Sequence, residues 1–278
     1  MSVHVAAGTH HTYRANEHDT LLSEVVAVQC VLMPRAFLVA GFGENGKVII
    51  ARYCGYAATD PEWDPHFFGH EFMTETLLGV PQQVKSIFVG SDVSMLIPTA
   101  LYTEEEARGW LGKIQSLSPA DVLHAYPVES PEAQYVFAVP EAIDKLLQRY
   151  FGGTPLLPVA AYQFYKPARS GYIMQCLLAE DKTIASLHHM GRLLWHQQFA
   201  GNSAEDIAWQ AGYLCRELHI PRIDLNIQFA ALSDDHYHQA AELERYFPKI
   251  RWSVNAPGDG GDWAPVIYLL QQLYACAL

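Results

Sequence analysis

Two imidazoles four residues apart are the first chemistry the sequence offers: His66 and His70, in the run His66-Phe67-Phe68-Gly69-His70-Glu71. On a helix, residues i and i+4 share a face, which makes His66, His70 and the adjacent Glu71 candidate metal ligands. The order is not that of a zinc protease. There the Glu follows the first His, whereas here it follows the second, and Gly69 weakens the helix. Paired histidines without a Cys or Asp ligand set are ordinarily solvent-facing, so no bound metal is expected. His188-His189 and His236-x-His238 lie near turns and read the same way, and His10-His11 falls in an arm expected to be disordered.

Nucleophilic chemistry is not signalled either. No G-x-S-x-G run occurs, and Glu104-Glu105-Glu106 are first-turn charges that favour a helix dipole. The Gly-rich run Pro257-Gly258-Asp259-Gly260-Gly261-Asp262 precedes a helix, as anion-binding loops do. Its two Asp side chains repel phosphate and the P-loop Lys is missing, so it reads as a loop with Asp262 as N-cap. No catalytic residue and no cofactor are expected.

Composition narrows the partners. The 30 acidic against 18 basic residues leave a net charge of -12. Such a field repels phosphate backbones and anionic lipid, so neither nucleic acid nor membrane is an expected partner. The most apolar stretch, Val25 to Phe42, is interrupted by Gln29, Pro34 and Arg35, whereas a spanning helix needs ~20 mostly apolar residues. The five cysteines are odd in number and form no C-x-x-C pair, which fits free thiols in the cytoplasm.

The elements that would position these residues follow from periodicity and turn chemistry. Val25–Met33, Ala36–Phe42 and Lys47–Cys54 predict a three-stranded meander. Phe67–Leu78 predicts a helix, and Ser86–Ile97 a strand region broken near Gly90-Ser91-Asp92. Thr103-x-x-Glu106 opens a helix with a capping box, with Ala107, Trp110, Leu111 and Ile114 as its stripe. Tyr135–Val139 is a buried strand, and Pro140 starts the next helix. The second half repeats the theme. Tyr172–Leu178, Thr183–His188 and Leu193–Phe199 form a meander, Ser203 caps a helix, and Leu225–Ala231 is a strand. A helix from Asp234 or Asp235 to Phe247, a strand at Ile250–Val254 and a helix at Trp263–Cys276 close the chain. This order implies an α/β fold: a flexible arm over 1–24, a first lobe over 25–170 and a second over 171–278, divided at Pro167–Gly171. Each lobe is expected to be a mixed five-stranded sheet flanked by helices, in the ribonuclease-H-like, actin-like arrangement.

Several short motifs carry a resemblance. Gln134-Tyr135-Val136-Phe137-Ala138-Val139-Pro140-Glu141, then Thr154-Pro155-Leu156-Leu157, the meander Tyr172–Phe199 with its Gly191 turn, and Leu269–Cys276 resemble the bacterial domain-of-unknown-function family 3822. That family is similar in fold to actin-like ATPases, and in layout to pilus-assembly and secretion-system scaffolds. The resemblance implies a fold and no assigned activity. Actin-like ATPases place an Asp and a Gly in the first hairpin of each lobe, for the metal and for close backbone approach to phosphate. Here the first reads Ala27-Val28-Gln29-Cys30-Val31-Leu32-Met33 and the second Cys176-Leu177-Leu178-Ala179-Glu180-Asp181-Lys182. Gln29, Glu180 and Asp181 are thus degenerate cleft candidates. Ala230-Ala231-Leu232 stands where an adenosine-binding Gly pair would fall. The expected function is a non-catalytic protein-binding or scaffold module, acting on a protein partner or by self-association. The alternatives are a nucleotide-binding ATPase or phosphotransferase-like protein with diverged phosphate loops, and a metal-dependent activity at His66, His70 and Glu71.

Overall fold

The computed structural model describes residues 9–15, 21–57, 62–79, 84–164, 171–233, 242–247, 250–252 and 261–277. It divides into two compact units: residues 1–161 with 273–278, and residues 162–272.

In the first unit, Thr9–Arg14 (β1) precedes the meander Ala27–Met33 (β2), Ala36–Phe42 (β3) and Val48–Gly55 (β4). Helix Pro65–Thr74 (α1) leads to strand Val84–Val89 (β5), and strand Leu156–Pro158 (β9) completes the sheet. Its order is β1-β4-β3-β2-β5-β9, with β2, β5 and β9 parallel and the meander antiparallel. Every residue of β2 and β3 is buried, which is why these strands read as near-continuous apolar runs. Helix α1 starts at Pro65, where proline needs no donor, with the Asp64 side chain accepting from His66 N–H. It ends earlier than expected because Glu75 is extended; a short 3-10 turn, Thr76–Gly79, follows. The buried face of α1 presents Phe67, Phe68 and Phe72, and Phe72 meets Phe37 and Phe151 edge-on.

Of the flexible arm expected over residues 1–24, residues 1–8 and 16–20 lie outside the described residues, and Leu21–Glu24 is a 3-10 turn; the correction concerns residues 9–14. Residues 9–14 form β1, paired antiparallel along β4 as a sixth strand. Backbone hydrogen bonds to an open edge, rather than apolar burial, hold it there.

Between β5 and β9 the chain inserts a separate three-stranded antiparallel sheet. It comprises Ser94–Pro98 (β6), Val122–Val128 (β7) and Ala133–Val139 (β8), in the order β6-β8-β7. Helix Glu104–Gly112 (α2) packs on it through a small core of Ile97, Ala107, Leu111 and Val136. Thr103 Oγ1 accepts from Glu106 N–H at 3.2 Å, the threonine half of the expected capping box. Ile114 lies beyond the helix and is exposed. Strand β7 has no counterpart in the sequence reading. Pro127 and its half-exposed pattern suit an edge strand, and edges carry little apolar signal. Helix Glu141–Phe151 (α3) follows, and Ala161–Phe164 (α4) ends this run.

The second unit carries the meander Tyr172–Ala179 (β10), Lys182–His189 (β11) and Arg192–Ala200 (β12). Then come helix Ala204–Glu217 (α5), strand Leu225–Ala231 (β13), strand Ile250–Trp252 (β14) and helix Ala264–Cys276 (α6). The sheet order is β12-β11-β10-β13-β14, with β10, β13 and β14 parallel. This is the order of the first sheet without β1, so both units share one connectivity. Met190 at φ 50 and Gly191 at φ 76 make the tight turn between β11 and β12, a positive-φ pair that matches strand twist. A full capping box joins Ser203 and Asp206 at the start of α5. Its buried face, Ile207, Ala211 and Leu214, packs with Met174, Leu187, Ile227 and Phe229 of the sheet.

The change of unit falls at Ala161–Tyr162, and just beyond it Gln163 Nε2 donates to the carbonyls of Ile184 at 2.8 Å and Gln175 at 3.4 Å. Residues 273–278 group with the first unit, where Tyr274 stacks on Phe42 at 4.3 Å. The helix expected from Asp234 or Asp235 lies mostly outside the described residues; Glu242–Arg245 is a 3-10 turn. Pro257–Gly260 of the Gly-rich run and His236-x-His238 also lie outside them.

Candidate functional site

The hairpin turns come first, since phosphate chemistry in this topology would sit there. Between β2 and β3, the Pro34 carbonyl accepts from Tyr56 Oη at 2.6 Å and Trp63 N–H at 2.7 Å. The Arg35 guanidinium pairs with Glu62 at 2.8 Å. Between β10 and β11, the Glu180 carbonyl accepts from Asn202 Nδ2 at 2.6 Å, and the Asp181 carbonyl from Gly201 N–H at 2.7 Å. Both turns are therefore tied down by their own chain. Ala230, Ala231 and Leu232 are buried.

Gln29 lies in the middle of β2 rather than at its turn. It is 1% exposed, and neither amide atom has a hydrogen-bond partner among the described residues. Ser86 is its parallel neighbour on β5, with an equally unpartnered hydroxyl. Strand β10 repeats the pair of types, Gln175-Cys176 against Gln29-Cys30, and all four side chains are buried. An orphaned buried amide carries a penalty of roughly 1–3 kcal/mol. Gln29→Met keeps the length and removes the polar atoms, so it is expected to raise stability by about 1–2 kcal/mol. Urea unfolding checks this: a fall in midpoint would mean that the amide is satisfied in solution.

The second constellation lies where β1, β4 and α1 meet. His10 stands directly opposite Cys54 in the β1–β4 register, with Nε2 and Sγ 3.6 Å apart. Glu71, near the end of α1, comes to the same place. One ligand atom from each of His10, Cys54 and Glu71 lies within 4.8 Å of the others, the one such group among the described residues. The surroundings follow from the two periods. Arg52, two residues before Cys54, shares its face and gives Nη1 to Glu75 Oε1 at 2.7 Å and Thr76 Oγ1 at 2.9 Å. Glu75 is one helical turn beyond Glu71. A cavity of about 40 Å³ opens beside these side chains, walled also by Phe37 and Val39. The Cys54 thiol is pushed up to about 12, first by burial, then by the charge of Glu71 and a hydrogen bond to it.

The structure thus separates the sequence candidates. His66 and His70 are exposed on α1, while Glu71 faces Cys54. No local signal in the sequence links positions 10, 54 and 71.

A third feature is a polar face on the second sheet. His188, expected at a turn facing solvent, is instead 1% exposed within β11, with Nε2 3.1 Å from Ser186 Oγ. The turn begins only after His189, so His188 keeps an inward place in the strand. Its pKa is lowered to about 4, mainly by burial. His196 on β12 is lowered to about 3 by burial and by His188, and its ring meets Phe164 edge-on at 5.0 Å.

The outer face of α5 is the fourth. Trp209 and Tyr213 stand opposite its buried stripe and stack at 5.9 Å, 11° from parallel. Trp209 is 70% exposed. A groove of about 210 Å³ runs alongside, lined by Glu205, Ala208, Trp209, Arg222, Tyr246 and Phe247.

Comparison with known proteins bears on the fold. The profile of the family described as "Protein of unknown function (DUF3822)" matches residues 65–250. A Bacteroides thetaiotaomicron VPI-5482 protein with an actin-like ATPase fold and unknown function is similar over 94% of this chain and 100% of its own, at 14% identity and a TM-score of 0.68. A chain of the PilM–PilN type IV pilus biogenesis complex is similar over 91% and 99%, at 14% identity and a TM-score of 0.55. No curated protein sequence matches. At these identities the structural likenesses establish the fold: an actin-like ATPase fold.

Proposed function

This chain belongs to the DUF3822 family, and from that premise we propose that it is a non-catalytic protein-binding or scaffold module working in the cytoplasm. The observation that carries the proposal is the α5 surface. A tryptophan 70% exposed beside a stacked tyrosine and a groove is an unusual thing to leave in water. Tryptophan and tyrosine are the residues that dominate binding energy at protein interfaces. Burying the pair on a partner removes apolar area from solvent, with Arg222 and Glu205 at the rim for register. A chain of the same fold occurs in the PilM–PilN complex, so the fold is compatible with such a role.

Other observations support the same reading. The carbonyls of both hairpin turns are engaged by their own chain, and neither turn contains Gly. The net charge of -12 disfavours polyanionic ligands, nucleic acid included. No helix among the described residues is long and apolar enough to cross a membrane. All five cysteines are free thiols, as a reducing compartment allows.

Affinity capture from native extract, followed by titration of the captured partner, tests this. Trp209→Ala is expected to weaken binding by roughly 30-fold, a hot-spot loss of about 2 kcal/mol, while unfolding is unchanged. The nucleotide-binding alternative is tested by calorimetric titration with Mg-ATP and a phosphate-release assay. Low-micromolar binding, or turnover lost in Asp181→Asn, would overturn the proposal in its favour.

A further inference from the structure

We infer that His10, Cys54 and Glu71 form a binding site for a zinc-class divalent cation, which ties the edge strand β1 and helix α1 to β4. The geometry carries this. Zinc holds sulfur at ~2.3 Å and imidazole nitrogen at ~2.0–2.1 Å, so two such ligands at a tetrahedral angle stand about 3.6 Å apart. His10 Nε2 and Cys54 Sγ are 3.6 Å apart. The ligand atoms of the triad all lie within 4.8 Å of one another, and holding one ion requires the Glu71 carboxylate to draw in toward the other two. Thiolate, imidazole and carboxylate together suit zinc or cobalt, and do not suit magnesium or calcium, which take oxygen ligands.

The neighbouring groups leave the position to a cation. Arg52, which lines the adjoining cavity, is engaged with Glu75 and Thr76. The adjoining cavity of about 40 Å³ exceeds the ~10–15 Å³ that one water needs, so a water completes the coordination. On binding, Cys54 releases its thiol proton to solvent and Sγ donates an electron pair to the metal. With three protein ligands and an exposed His10, the site is exchangeable rather than sealed.

The test uses the full chain without a histidine tag, dialysed against zinc or cobalt and then against metal-free buffer. About one ion per chain is expected, and with cobalt a thiolate-to-metal charge-transfer absorption. Cys54→Ser should remove that absorption. His10→Ala, on an exposed edge position that leaves the core intact, should weaken zinc binding at least tenfold. His70→Ala should change neither, and excess magnesium should not displace the ion. If Cys54→Ser fails to fold by circular dichroism, His10→Ala carries the test. Wild-type protein that holds well under one ion and shows no thiolate absorption would overturn the inference. So would His10→Ala binding zinc as wild type does, or loss of the ion in His70→Ala.

Discussion

Lowering the pH from 7.5 to 4.5 is expected to remove about 3–5 kcal/mol of stability through His188 and His196 alone. His188 is buried and His196 is partly buried, with pKa values lowered to about 4 and about 3 against an ordinary 6.5. The unfolded chain therefore takes up protons first. The stabilising contribution is complete above pH 6.5 and is lost as pH falls from there toward the folded-state values. Each histidine contributes a slope of up to about 1.36 kcal/mol per pH unit. The loss is large against the 5–15 kcal/mol typical of a domain. Urea unfolding at half-unit steps should show a slope approaching two protons between pH 6 and 4.5. His196→Gln should remove about one of them. An unchanged slope in that variant would assign the acid lability to carboxylates instead.

Phe229→Ala should cost about 3–5 kcal/mol, the largest effect expected of a single substitution here. Phe229 is fully buried in β13, the central parallel neighbour of β10, and contributes to the core under Ile207, Ala211 and Leu214 of α5. Its neighbours in that core, Leu243 and Phe247 among them, are themselves buried, which leaves little room for the void to collapse. The urea midpoint should fall with the denaturant slope unchanged, and Phe229→Leu should fall less than half as far. A loss under about 1 kcal/mol for the alanine variant would mean that the strand is less enclosed than the structure has it.

The sheet cores were legible because burial and β-branching coincide. Ala36–Phe42 is the same strand in sequence and structure, and the breaks at Pro34 and Gly191 are written in turn chemistry. What escaped has an equally physical reason. Strand β1 is a run of Thr, His, Tyr and Arg with mostly exposed side chains, so nothing apolar announces it. Strand β7 contains a proline. The site near Cys54 was out of reach because its three residues come from three elements. Sequence spacing grouped Glu71 with His66 and His70, whereas the helical turn aims it at a strand seventeen residues earlier. Trp209 has no signal of its own in the sequence, and it is the buried stripe of α5 that fixes the opposite face as outward.

The cover that β1 places over β4 has a consequence for self-association. A long, flat, apolar strand at a sheet edge is a template on which another chain can add, and β4 would be one if bare. The chain closes that edge with a strand whose own side chains are polar and include Arg14, a poor surface for further addition. Such a cover adheres through its backbone ladder and a few side chains, so it detaches at far lower cost than a core strand. Release of the six residues of β1 would leave the edge of β4 open to strand addition.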